Sequence, residues 1–228
     1  MQVPHSRRPR RQAPLPQMTE IALVQGAAPL TRPDESPEPS AAVTLHQRPL
    51  AYVDRLDRRV LAQIDLLVIH ATELPTAAMA RDYGEMIQYE SSRTGNSGHF
   101  YIDRDGRIEQ YVPLDRVANH VRGFNGRSIG VELINSGRYP HWYRLDHQNK
   151  REDYPAVQIN ALLDLVNHLT AHIRSLTWAA GHDELDISEI PAEDSATALI
   201  RRKMDPGDHF PWSALVSQTK LKRLLLGI

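Results

Sequence analysis

The stretch LLVIHAT (66–72) sets four aliphatic residues directly before a histidine, His70. A short apolar run of this kind reads as a buried strand, and a buried strand has no local need of an imidazole. Two readings are open. His70 is a hydrogen-bonded core histidine, or the strand aims the ring at a metal. Taken alone, the stretch favours the first.

The segments around it set the fold. Met79, Tyr83, Met86, Ile87 and Tyr89 recur at roughly a helical period and predict a helix over 76–94. GHFYIDRDGRIEQYVP (98–113) reads as two short strands joined at Asp105-Gly106, a strong hairpin signal. RSIGVELIN (127–135) predicts a strand over 128–134. Pro155 opens a long amphipathic helix reaching to about 176, with an apolar stripe of Ile159, Leu162, Leu163, Val166, Leu169, Ile173 and Leu176. Residues 177–212 read as a long loop, and Trp212 and Leu215 lead into a terminal helix. Strands and helices interleave, which predicts one α/β domain, 51–228, with a central mixed β-sheet flanked by helices.

The first fifty residues differ in kind. They hold nine of the sixteen prolines and no Phe, Tyr or Trp. Such a segment cannot bury enough apolar surface to offset its chain entropy, so 1–50 is expected to be a disordered Pro/Arg-rich tail. Arg7, Arg8, Arg10 and Arg11 precede an apolar patch at 21–30, but Pro14, Pro16, Gln17 and Glu20 intervene and Gln25, Gly26 and Pro29 break the patch. That is a poor signal peptide. The default compartment is therefore the cytoplasm, with export by another route as the alternative.

Across all 228 residues the formal net charge is −1, which offers no electrostatic case for nucleic acid. No apolar run approaches the roughly 20 residues of a membrane span. Cysteine is absent, which excludes disulfides and thiolate metal sites. A metal would have to use His, Asp or Glu, a set that suits zinc.

Four stretches place polar groups where pattern alone would not. His70 ends its strand. Glu132 lies inside the apolar strand IGVELIN, where a carboxylate is costly unless paired or functional. His182 is the second residue of GHDELD, just past the long helix. Lys203 and Asp205 stand two apart in RRKMDPGDHFPW, so an extended backbone would put both on one face. Two neutral imidazoles and one carboxylate can make a three-ligand site with an open fourth position. A further carboxylate could then take a proton from water, and an ammonium could steady a developing oxyanion. That chemistry is metal-assisted hydrolysis of an amide or ester. The spacing matches no short zinc signature, so the residues alone leave the core-histidine reading open.

Five blocks carry a resemblance: LLVIHAT, SGHFYIDRDGRIEQYVP, ANHVRGFNGRSIGVELIN, GHDELDI and RRKMDPGDHFPW. In this order, over about 64–212, they resemble the zinc-dependent N-acetylmuramoyl-L-alanine amidases of the type-2 family, which share a fold with phage lysozyme-type amidases and animal peptidoglycan recognition proteins. The resemblance implies hydrolysis of the amide joining N-acetylmuramic acid to L-alanine of the stem peptide. It implies zinc on His70, His182 and Asp205 in a surface groove, with Glu132 activating water and Lys203 stabilising the tetrahedral intermediate. Some branches place cysteine where Asp205 stands, or tyrosine where Gly98 stands. This sequence resembles the Glu/Lys/Asp branch. Residues 188–200 look inserted and are expected to form a flap over the groove, putting substrate size in question more than the metal site.

Other candidates are weighed against plainer roles. His120, Asn125, Arg127 and Trp142 are candidate substrate contacts. His99 is read as structural, His168 and His172 as surface histidines, and Asp208 and His209 as weaker ligands than Asp205. Asp183 could orient His182. The expected partners are peptidoglycan or muropeptides, bound by a monomer. The alternative function is a non-catalytic peptidoglycan-binding module on the same fold, and a zinc hydrolase acting on another amide or ester is a third reading. A pure binder needs no full set of ligands with Glu132 and Lys203.

Overall fold

Every residue of the strand Leu66–Ala71 (β2) is buried, as befits a strand with parallel neighbours on both sides and cover on both faces. The structure, a computed structural model, describes residues 43–149 and 152–226. On one side β2 pairs with Ser128–Leu133 (β5), and on the other with Trp178–Gly181 (β6), both parallel. Beyond β5 lies Phe100–Ile102 (β3), parallel to it, and then Ile108–Gln110 (β4), antiparallel to β3. Gly106 turns this hairpin with φ +87°, a conformation that favours glycine. Leu45–Gln47 (β1) and Lys222–Arg223 (β9) close the two edges, so the seven strands run β1-β4-β3-β5-β2-β6-β9. The expected mixed sheet is observed.

Alternation along the strands sorts the faces. Leu67 and Ile69, Ile129, Val131 and Leu133, and Phe100 and Ile102 form one core with the helix Ala156–His172 (α2) and with Leu215 of the helix Trp212–Gln218 (α4). The predicted stripe of α2 is buried in that core, and Ile173 and Leu176 continue it past the helix end. Buried Gln158 ties α2 to the sheet by donating to the carbonyls of Ile102 (2.9 Å) and Ile134 (3.1 Å). On the other face Leu66 and Val68 pack with Val121 and Leu224, while Tyr101 packs with Leu50, Tyr52 and Ala80.

Three expectations need correction. The tail expected to lack structure as far as residue 50 ends earlier: Leu45–Gln47 is a parallel edge strand on β4 and Leu50 is buried. An exposed edge supplies backbone partners whatever the local composition. The remainder of that segment, residues 1–42, lies outside the described residues. The helix expected over 76–94 is only Ala77–Glu85 (α1). Its buried residues are Ala80 and Gly84, while Tyr83, Met86 and Tyr89 are 47, 52 and 45% exposed. The loop expected over 177–212 contains β6, the short helix His182–Leu185 (α3) and an antiparallel hairpin of Glu189–Pro191 (β7) and Leu199–Arg201 (β8). No described helix is long and apolar enough to cross a membrane.

Candidate active site

The sheet register assembles the polar row. His70 pairs with Glu132, and Glu132 with Tyr101, across adjacent strands. Ile69 pairs with Gly181, so His182 follows one step beyond, level with His70. All four lie at the carboxyl ends of the parallel strands, where open α/β sheets bind ligands. They share the face opposite α2, because His70 lies on the same face of its strand as Leu66 and Val68 and not that of Leu67 and Ile69. The oddity of LLVIHAT is thus resolved by alternation: its one imidazole points out of the α2 core.

Asp205 completes the cluster from a different segment. It follows β8 and is held by a hydrogen bond from the Asp183 N–H to its carbonyl (2.8 Å). Nδ1 of His70 lies 3.0 Å from Nδ1 of His182, and each lies 3.1 Å from Oδ2 of Asp205. All three residues are buried. Ligand atoms about 2.0–2.2 Å from one tetrahedral zinc stand about 3.3 Å apart, so this triangle fits such an ion. Two further observations agree. Three lone-pair-bearing atoms in mutual contact cannot all be satisfied by protons. Oδ1 of Asp205 is also buried without a hydrogen-bond partner among the described residues. Burial, and then the neighbouring His182, pull His70 down to about 4, leaving it neutral as a ligand must be. Burial alone would raise Asp205, but His182, His70 and Lys203 outweigh it and hold the carboxylate well below its usual range.

Glu132 Oε1 lies 4.0 Å from His70 Nδ1, beside the triangle and not in it. Burial, and then the charge of Asp205, push its carboxyl up to about 8, while Lys203 opposes the shift. A cation on the triangle would add opposite charge and pull it back down. Gly98 makes room for this side chain: a Cβ there would stand 2.8 Å from Glu132 Cγ. Lys203 lines the same groove as Glu132 and Asp205.

The groove encloses about 790 Å³. Of the expected substrate contacts, His120, Asn125 and Trp142 line it. Trp142 is fixed by donating its indole N–H to the Glu73 carbonyl (3.0 Å). Asn125 also holds the loop, accepting from the N–H groups of His120 (3.1 Å) and Val121 (2.8 Å). Arg127 does not face the groove. It donates to Asp65 (2.6 Å) at the amino end of β5, five residues and about 16 Å of strand from Glu132. An arginine beside a strand start finds the nearest carboxylate, here at the base of β2.

The plainer readings of other residues fit what is seen. His99 is fully buried, with Nδ1 accepting from the Gly130 N–H (3.1 Å) and Nε2 2.7 Å from Arg59. His172 is exposed on α2 and stacks near His168. His209 pairs with Asp153, and Asp208 is exposed. Asp183 does not orient His182 by any hydrogen bond of its side chain among those described; its backbone anchors Asp205 instead.

Two features escaped the sequence. Tyr83 and Tyr89, which served only to predict a helix, line the groove. The other is a buried ion pair. Arg138, 1% exposed, makes a bidentate contact with Glu73 (2.7 and 2.8 Å) and donates to the carbonyls of Arg201 and Arg202 (both 3.2 Å). It thereby fixes the segment that leads into Lys203 and Asp205. Glu73 has φ +50°, a rare backbone state for a non-glycine residue and a signal visible only in three dimensions.

Comparison with known proteins places this architecture. A family model described as N-acetylmuramoyl-L-alanine amidase matches residues 61–208. The chain is 28% identical over 177 residues to the 1,6-anhydro-N-acetylmuramyl-L-alanine amidase AmpD of Haemophilus influenzae, covering 69% of this chain and 83% of that one. It is 31% identical over 86 residues to the endolysin of Klebsiella phage KP32, covering 37% of this chain and about half (52%) of the endolysin. Among solved structures, the endolysin amidase LysCS of Clostridium intestinale superposes with a TM-score of 0.55 at 18% identity, covering 81% of this chain and all of that one. The amidase AmiD of E. coli, solved with anhydro-N-acetylmuramic acid-L-Ala-D-gamma-Glu-L-Lys, superposes with a TM-score of 0.52 at 24% identity, covering 71% and 60%. At these identities the superpositions speak for the fold.

Proposed function

The chain belongs to the N-acetylmuramoyl-L-alanine amidase family, and from that premise we propose a zinc hydrolase whose ligands are His70, His182 and Asp205. The enzyme is a peptidoglycan amidase, cutting the amide between N-acetylmuramic acid and L-alanine of the stem peptide. The observation that carries the zinc reading is the triangle of two Nδ1 atoms and one carboxylate oxygen, 3.0–3.1 Å on each side. Bound there, zinc would act as a Lewis acid on the scissile carbonyl and lower the pKa of water.

The chain's own residues supply the rest. Glu132 takes a proton from the attacking water and passes it to the departing L-alanine nitrogen as the C–N bond breaks. Lys203 faces the negative charge that develops on the carbonyl oxygen; loss of such a donor costs about 10²–10³ in turnover. Trp142, Tyr83 and Tyr89 offer apolar walls, and Asn125 a polar group, to a sugar and peptide laid along the groove, with His120 part of its floor. The full set of three ligands with Glu132 and Lys203 speaks against a purely binding role.

We take soluble muropeptides, with the 1,6-anhydro sugar as the leading candidate, as substrate, since AmpD is named for that bond. Digestion of defined anhydro- and reducing muropeptides, read by mass spectrometry, tests the proposal. The expected products are the intact sugar and a stem peptide beginning at L-alanine. Cleavage within the stem, or none by the zinc-loaded enzyme, would overturn it.

A further inference from the structure

We infer that His120 and Ser128 are positioning residues, which fix the tautomer of His70 and so present its Nδ1 lone pair to the metal. The inference rests on the zinc reading given above.

One chain of contacts runs from Ser128 through His120 to His70, and each proton in it has a single place to go. Ser128, fully buried at the start of β5, donates its only hydroxyl proton to the Phe124 carbonyl (2.8 Å). Its Oγ also lies 3.1 Å from His120 Nε2. With its proton already used, Oγ can only accept there, so Nε2 of His120 carries the hydrogen. A neutral His120 then has a bare Nδ1. That atom lies 2.9 Å from Nε2 of His70, which must donate. His70 Nδ1 is left bare, and it is this atom that sits 3.0 Å from His182 and 3.1 Å from Asp205. Reversing any one proton would put a hydrogen on the metal-facing nitrogen.

The chain of contacts is built rather than incidental. The His120 ring lies so close over Gly130 that a Cβ there would stand 2.6 Å from its Nδ1. Asn125 fixes the backbone on the other side, accepting from the His120 N–H (3.1 Å). Histidine ligands in metal sites are commonly held through their second nitrogen, and loss of that partner typically costs about 10–100-fold in metal affinity. Here the partner is another imidazole, oriented in turn by a serine.

The test is zinc affinity of the full chain, measured with zinc alone against a competing chelator, with the absorption band of the cobalt-substituted protein as a second readout. His120→Leu keeps bulk and loses the acceptor; His120→Asn loses bulk and keeps an oxygen near the Nδ1 position. We expect Leu to weaken zinc by about 10–100-fold and change the cobalt band, and Asn to recover most of the affinity. Leu matching wild type, or Leu rescuing better than Asn, would overturn the inference. If either His120 variant fails to fold, Ser128→Ala decides. A several-fold loss supports the relay, and affinity within twofold of wild type rejects it. Wild-type protein that binds no zinc would overturn the metal reading itself, an outcome distinct from failure of the relay alone.

Discussion

Two regions share one site and are built on opposite plans. His70, Glu132 and His182 stand at the ends of adjacent parallel strands, β2, β5 and β6, whose register places them in one row. Lys203 and Asp205 come from irregular chain after β8, held by the Arg138–Glu73 ion pair and by a hydrogen bond from Asp183. The strand residues need only the sheet. The other two depend on a buried charge pair and on the β7–β8 hairpin, whose tip is itself tethered: the N–H of Glu193 donates to the Tyr143 carbonyl (2.8 Å), and the N–H of Leu145 donates to Asp194 (2.6 Å). Chemistry carried by strand ends should therefore be separable from stability, while chemistry carried by the irregular segment should not.

The largest separation is expected at Glu132. Glu132→Ala should retain zinc and fold while turnover falls by about 10²–10⁴, the span of general acid–base catalysis. Steady-state kinetics beside metal analysis checks this, and unchanged turnover would remove Glu132 from the chemistry.

Arg138→Ala is the converse. Removing one member of a buried pair leaves its partner charged and unpaired, at a cost of about 3–5 kcal/mol. Because Arg138 also holds the carbonyls of Arg201 and Arg202, zinc affinity should fall together with stability. Denaturant unfolding and zinc titration on the same variant test the coupling. A drop in stability with zinc affinity intact would show that Asp205 needs no such support.

Glu132 also sharpens the contrast through pH. In metal-stripped protein its carboxyl is raised from 4.5 to about 8. Between those values the unfolded chain has released a proton that the folded chain still holds, so rising pH lowers stability across that window. Glu132→Gln should therefore melt higher than wild type at pH 8, with the gain disappearing below about pH 4.5. Bound zinc should shrink the difference, since a cation favours the carboxylate. Equal melting temperatures of the stripped proteins at pH 8 would remove the burial argument.

The smallest effect is expected at the hairpin tip. Asp194→Ala loosens a partly exposed tether and should change stability by less than about 1 kcal/mol. It should raise KM more than it lowers kcat, because the loop it releases carries Trp142 and Tyr143. A change confined to kcat would place the hairpin in the chemistry instead.

What was legible in the sequence follows the same division. The strand stretch around His70 and the strand around Glu132 announce themselves because a polar residue interrupts an apolar run. The β3–β4 hairpin is marked by Asp105-Gly106, and α2 by its stripe. β6 reads as loop because Trp178-Ala179-Ala180-Gly181 carries no β-branched residue, and its burial comes from its neighbours. The helix expected over 76–94 extends too far because Met86, Ile87 and Tyr89 keep a helical period beyond the end of α1 at Glu85. Arg138 lay hidden because an arginine in SGRYPHW looks like surface until Glu73 is folded against it. Lys203 and Asp205 could be read although they lie on irregular chain, because a Lys-x-Asp pair before a Pro-Gly turn is a local pattern, whereas the Arg138–Glu73 support that holds them is visible only in the fold.

The measurement that bears most directly on the central claim is zinc content and activity of the full chain before and after chelation, with His182→Ala alongside. The account predicts about one zinc per chain, muropeptide cleavage that vanishes on stripping and returns with one equivalent of zinc, and a His182→Ala protein that folds but neither holds the ion tightly nor turns over. Full turnover by the stripped enzyme, or tight zinc binding by His182→Ala, would contradict it.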